Sequence, residues 1–271
     1  MKKGIRAHDI NSDGIESIIQ TSKKMKFDCL QLVLEKSIDD FKFGKFSEEY
    51  ATAIKRKLGD VDIAVLGSYI NPSLSGDKLQ EEINKFKEKI KYASVLKPIT
   101  VATETGVYAG GNDSEEAYVH ILKVFKELAA EAERYNVSIG IEGVWCFVIN
   151  TPQKMFRLIN DLSSDKVNIV FDPVNYINID NYKNQDEIIN YAFDNFADKI
   201  AAIHAKDFTV ENNEVKSAPI CGGMLNWKLI VKNMIKYNAD VPIIAEGYDE
   251  KNAKIGLDKI EKIQCELMKG E

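Results

Sequence analysis

Eight short apolar runs alternate with amphipathic segments of helix length from one end of this chain to the other. Strand, helix, strand in repetition is the signature of a parallel sheet, because a parallel neighbour needs a crossover long enough to carry the chain back. The runs are GIRAH near residue 4, CLQLVL from Cys29, VDIAVL from Val61, ITVAT from Ile99, VSIGIE from Val137, VNIVFD from Val167, KIAAIH from Lys199 and VPIIAE from Val241. Each is apolar on both faces, as a strand must be when helices cover one side and a packed interior the other. No linker rich in Pro, Gly or Ser divides the 271 residues. The pattern therefore predicts an α/β fold, a (β/α)8 barrel spanning residues 1–271 as one domain. A doubly wound sheet usually stops at about five or six strands and carries a GxGxxG after its first strand, a motif this chain lacks there.

Helix starts are legible between the runs. Ser47 precedes Glu48 and Glu49, Asp113 or Ser114 stands before SEEAYVHILKVFKELAAEAERY, and Thr151 followed by Pro152 fits an N-cap with proline at the first helical position. Two loops stand out: Ser68 to Gly76 after the third strand, and Thr209 to Asn226, which is longer than most connections of its kind.

Four of the runs end in side chains able to bind a metal: IGIEGV at Glu142, NIVFDP at Asp172, AAIHAKD at His204 and PIIAEG at Glu246. In a (β/α)8 barrel all strand carboxyl ends face one mouth, where active sites of the fold lie. Adjacent strands are about 4.8 Å apart, so strands five to eight can gather three carboxylates and one imidazole around a single ion. Hard oxygen donors with one nitrogen suit Mn²⁺ first, or Mg²⁺, with Co²⁺, Fe²⁺ and Zn²⁺ as alternatives. Cysteine is excluded from this set, since Cys29, Cys146, Cys221 and Cys265 are scattered without a CxxC pair. Scattered thiols fit a reducing, cytoplasmic setting, and no run of about 18 apolar residues suggests a signal peptide or membrane span. A net charge of −6 argues against a surface that tracks nucleic acid.

On IEGV, FDPVN, IHAKDF and IAEGY the chain resembles the xylose isomerase-like TIM barrels, which include sugar-phosphate isomerases, ketose 3-epimerases, inosose dehydratases and, more distantly, endonuclease IV. HAKD after the seventh strand is the most specific piece, and CGGMLNW resembles the family's Gly-rich turn at Gly222, Gly223, Asn226 and Trp227. The resemblance implies a divalent ion held by Glu142, Asp172, His204 and Glu246, with Glu142 and Glu246 doubling as acid/base groups. It also marks departures. Asn175 stands where many members have a histidine, no arginine lies between Lys206 and Lys216, and Gln31 replaces a strand-two glutamate. With three histidines in all, His8, His120 and His204, the chain is short of the ligands of a three-metal nuclease.

Other residues can line the mouth. His8 ends the first strand beside Asp9, Tyr69 and Asn71 follow the third, and Glu104 closes the fourth. Lys206 and Asp207 flank His204, while Trp145 and Trp227 can wall a sugar's carbon face. His8, Tyr69, Asn71, Glu104, Trp145, Asn175, Lys206, Asp207 and Trp227 are thus the candidate substrate contacts. His120, within a long amphipathic helix, reads as a surface or core-edge residue. The leading expectation is a metal-dependent isomerase or epimerase of a small sugar, sugar phosphate or polyol, working through an enediolate. An inosose-type dehydratase is the nearest rival; an endonuclease IV-like nuclease and a non-catalytic sugar-binding barrel are the readings from other classes. The expected partner is a small carbohydrate, without nucleic acid or membrane; a homo-oligomer is compatible with the sequence.

Overall fold

The eight apolar runs close into a parallel barrel. In the computed structural model, which describes residues 1–270, the chain begins β1 (Lys3–Arg6), α1 (Gly14–Met25), β2 (Cys29–Leu32), the single-turn α2 (Leu34–Ser37), α3 (Glu48–Leu58), β3 (Asp62–Gly67) and α4 (Gly76–Leu96). There follow β4 (Thr100–Glu104), α5 (Glu115–Tyr135), β5 (Ile139–Glu142), α6 (Pro152–Leu162), β6 (Val167–Phe171), α7 (Gln185–Phe196) and β7 (Ile200–Ala205). The last elements are β8 (Phe208–Glu211), β9 (Glu214–Ser217), α8 (Trp227–Lys236), β10 (Ile243–Ala245) and α9 (Glu250–Lys269). Around the barrel the order is β1-β10-β7-β6-β5-β4-β3-β2, with β8 and β9 apart from it, so the barrel's eighth strand is β10.

Helices form where apolar residues recur at helical spacing. In α6 the buried positions are Met155, Leu158, Ile159 and Leu162, one stripe that packs on the barrel. Each such side chain contributes about 1.5–3 kcal/mol by leaving water. The expected caps form: Ser47, Ser114 and Thr151 accept from the backbone N–H of Tyr50, Ala117 and Lys154, and Pro152 occupies the first turn of α6. No helix among the described residues is long and apolar enough to cross a membrane.

Period-two alternation positions the mouth. A small apolar cluster inside the barrel contains Cys29, Val65, Ala102, Val170, Ala202 and Ile244. Two residues further along each strand, on the same face, come Gln31, Gly67, Glu104, Asp172, His204 and Glu246. Glu142 follows Gly140 in the same way; a Cβ at Gly140 would press on Thr100 at 3.0 Å. The interior is thus small and dry below, and polar above.

The segment from Thr209 to Asn226, expected as a loop, begins with the antiparallel hairpin β8–β9. Asn212 and Asn213 at its tip have φ of 51° and 62°, the left-handed pair that a two-residue type I′ turn requires and that Asn tolerates. The rest of the segment is anchored by Asp207, whose Oδ1 accepts from the amides of Phe208 and Leu225 at 2.8 and 3.0 Å. A Cβ at Gly223 would overlap Asp207 Oδ1 and the Phe208 carbonyl, so this turn of the CGGMLNW stretch needs glycine.

Candidate metal centre

Glu142, Asp172, His204 and Glu246 each present one ligand atom within 4.8 Å of all the others. His204 Nδ1 lies 3.1 Å from Glu142 Oε1, 3.7 Å from Asp172 Oδ2 and 2.8 Å from Glu246 Oε2. Strand ends alone do not aim these atoms; each is held by a neighbour. Asp172 Oδ1 accepts from the amides of Val174 and Asn175 at 2.9 and 3.1 Å, which turns Oδ2 towards the centre. Asn175 Nδ2 donates to Glu142 Oε1 at 2.7 Å. Arg6 Nη1 donates to Glu246 Oε1 at 2.8 Å, while its Nε and Nη2 grip Asp9.

Gln31 sets the imidazole. Its Oε1 lies 2.7 Å from His204 Nε2, so Nε2–H donates to it and the Nδ1 side of the ring faces the carboxylates. A hydrogen bond to the far nitrogen is how histidine ligands are held in tautomer and orientation. Gln31→Leu is accordingly expected to weaken Mn²⁺ affinity about 10- to 100-fold, measured by equilibrium dialysis. Unchanged affinity would show that this bond does not orient the ring.

The charge balance favours a cation. Glu142, Asp172 and Glu246, with Asp9 behind them, outnumber the cationic groups they face, Lys206, Arg6 and the His204 ring. Lys206 Nζ lies 2.9 Å from Asp172 Oδ2 and 3.3 Å from Glu246 Oε1. Burial raises the Glu246 pKa, but His204, Lys206 and Arg6 together outweigh it and hold the carboxyl well below its ordinary range. Asp172 is likewise lowered, against its burial, by Lys206 and His204. Burial alone would lower His204; Glu142 and Glu246 overcome it and raise the ring well above its ordinary value. Oxygen-rich, buried and net anionic, these residues fit a hard divalent ion.

The model of the xylose isomerase-like TIM barrel family matches residues 19–263. The chain belongs to that family. Among solved structures, the probable 3-DHS dehydratase AsbF from Bacillus anthracis is similar at TM-score 0.75 and 14% identity, over 96% of this chain and 99% of that one. A D-tagatose 3-epimerase-like protein matches at TM-score 0.75 and 18% identity, over 99% of this chain and 100% of its own. The IOLI protein, solved with a zinc atom, matches at TM-score 0.75 and 15% identity, over 98% and 96%. The search of curated proteins finds no match.

In this xylose isomerase-like barrel the remaining candidates fall into three groups. Tyr69, Asn71 and Glu104 line a cavity of about 340 Å³ with Gln31, Glu142, His204 and Glu246. Trp145, Asn175, Lys206 and Asp207 line a second of about 770 Å³, which also reaches Glu246. His8 and Trp227 line neither. Trp227 is 3% exposed and belongs to the core; the apolar spacing of α8 turns it inward. His8 sits edge-on to Tyr69, with both ring nitrogens buried and without partners. Burial, Arg6 and Lys36 push its pKa down to about 4, so the ring is neutral. His120 takes a core-edge place, its Nε2 lying 3.0 Å from the Pro72 carbonyl of the β3–α4 loop. Arg6 is the residue that sequence reading missed. Its partner Glu246 is 240 positions away, and only barrel closure of β1 on β10 brings them together.

Proposed function

We propose that residues 1–271 act as one domain that binds a single divalent ion, Mn²⁺ by preference, at Glu142, Asp172, His204 and Glu246, and isomerises or epimerises a small sugar or related hydroxy-ketone. The observation that carries this reading is the convergence of those four side chains within 4.8 Å in a buried, carboxylate-rich mouth. A bound ion would supply Lewis-acid stabilisation of the enediolate charge that develops when an α-proton leaves a hydroxy-ketone.

The chain's own groups do the rest. Glu142 stands at the end of β5 and Glu246 just after β10, with β6 and β7 between them in the barrel order, so substrate seated between them meets a carboxylate from each side. One takes the α-proton; the other, ionised at the start, takes the proton of the neighbouring substrate hydroxyl and returns it to carbon, and the first then hands its proton to the oxygen left bare. Return to the same carbon inverts it, and return to its neighbour isomerises the sugar. Arg6 and Lys206 keep Glu246 ionised and fix its direction. In the metal-free site Glu104 is pushed up to about 7 by burial and by Glu142 and Glu246; burial, the largest cause, favours the neutral form that can donate to a substrate oxygen.

The smaller cavity favours an uncharged substrate. Glu82, Glu104, Glu142 and Glu246 line it, and no lysine or arginine does. Metal analysis of purified protein is expected to find about one divalent ion per chain. Mass spectrometry of products then separates the reactions: unchanged substrate mass supports isomerisation or epimerisation, and loss of water assigns a dehydratase instead.

A further inference from the structure

Two cavities meet at Glu246, and a monosaccharide accounts for one of them. The smaller, about 340 Å³, is lined by Glu82, Glu104, Glu142 and Glu246, suited to hydroxyls. The larger, about 770 Å³, also reaches Glu246. Its partly exposed apolar side chains are Trp145, Val174 and Ile179 and, from the β8–β9 hairpin, Val215. A small sugar reaching the carboxylates from the smaller cavity leaves this slot unfilled.

We propose that the slot between Trp145 and the β8–β9 hairpin is a subsite for an aryl substituent on the sugar. This rests on the sugar reading above and extends it to the substrate class. Trp145 is 49% exposed although it faces a cavity beside the candidate catalytic glutamates. A large flat ring left open in a concave site is suited to stacking on another ring. Its backbone N–H donates to the Asn175 carbonyl at 2.6 Å, which ties the Trp145 loop to the segment that carries Val174 and Ile177. The opposite wall is stiffened by the paired hairpin and its Asn212–Asn213 turn. Slot walls held from two directions suit a planar group better than a flexible chain.

The charges point away from a phosphate or carboxylate substituent. Lys206 already lies between Asp172 and Glu246, and Lys216 sits 3.9 Å from Glu211. Asp180, Asp207 and Glu214 add negative charge to the lining.

The test is titration of the Mn²⁺-loaded protein with phenyl and methyl β-D-glucopyranoside, followed by ligand-observed NMR. Burial of a phenyl ring predicts at least about tenfold tighter binding of the phenyl compound. In Trp145→Ala the ratio is expected to fall to within about twofold of unity, and Trp145→Phe should restore most of it. Because the side chain is half exposed, truncation leaves the core intact; a wild-type melting curve confirms that. Equal binding of the two compounds, or a ratio unmoved by Trp145→Ala, overturns the aryl subsite and leaves the sugar reading standing. No binding of either compound likewise overturns the aryl subsite, while the sugar reading, which concerns hydroxy-ketones, falls only if no ketose or inosose undergoes exchange.

Discussion

Glu246→Gln and Glu142→Gln are each expected to lower kcat by about 10²- to 10⁴-fold, the usual contribution of one positioned acid or base, with melting temperatures close to wild type. Glutamine keeps the size and one oxygen of glutamate but cannot take a proton at neutral pH. In Glu246→Gln the retained oxygen still accepts from Arg6, so the side chain keeps the direction that the 2.8 Å contact gives Glu246. Both residues are also proposed ligands, so rates must be compared at matched metal content. A loss that persists at full occupancy assigns the proton transfer to the carboxylate; full activity in either variant removes that residue from the chemistry.

The second large effect is on metal affinity. In the metal-free protein His204 is held protonated because Glu142 and Glu246 outweigh the effect of burial. A histidine ligand must be neutral at the coordinating nitrogen, so metal displaces a proton from Nδ1. The metal-free state therefore binds the extra proton, and affinity rises with pH by about tenfold per unit for as long as the free ring is protonated. Asp172 and Glu246 are depressed well below this range and add nothing to the slope. Calorimetry of Mn²⁺ binding in buffers of different ionisation heat, near pH 7, should report about one proton released per ion. A flat pH profile with no release would contradict the assignment of His204 as ligand.

The barrel and the four converging strand ends were readable because both depend on local rules. Apolar runs of strand length announce β1 to β7 and β10, and the last residue of a run, or the one after it, faces the mouth wherever its partner two positions back faces the interior. Glu142, Asp172, His204 and Glu246 obey that rule, which is why a one-dimensional pattern placed them together. What escaped the sequence depends on closure and on side-chain direction. Arg6 reaches Glu246 only because the first and last strands pair. Gln31 read as a mere departure until its 2.7 Å contact with His204 Nε2 gave it a task. Asp207, a candidate substrate contact in HAKD that lines the larger cavity, also turns one oxygen to backbone amides of its own loop, a task its place in the sequence does not announce. Trp227, adjoining a Gly-rich turn, goes into the core because α8 begins at that residue. The β8–β9 hairpin did have a signal, the Asn212–Asn213 pair, within a stretch otherwise read by length alone.

The most direct measurement of the central claim is proton–deuterium exchange at carbon in D₂O, followed by NMR across a panel of unphosphorylated ketoses and inososes, with Mn²⁺ present and after chelation. The account predicts metal-dependent exchange of a single C–H next to a carbonyl in at least one compound, abolished by chelator and strongly slowed in Glu142→Gln and Glu246→Gln. Binding of those compounds with no exchange at any carbon, at full metal occupancy, would contradict it and leave a sugar-binding barrel without catalysis.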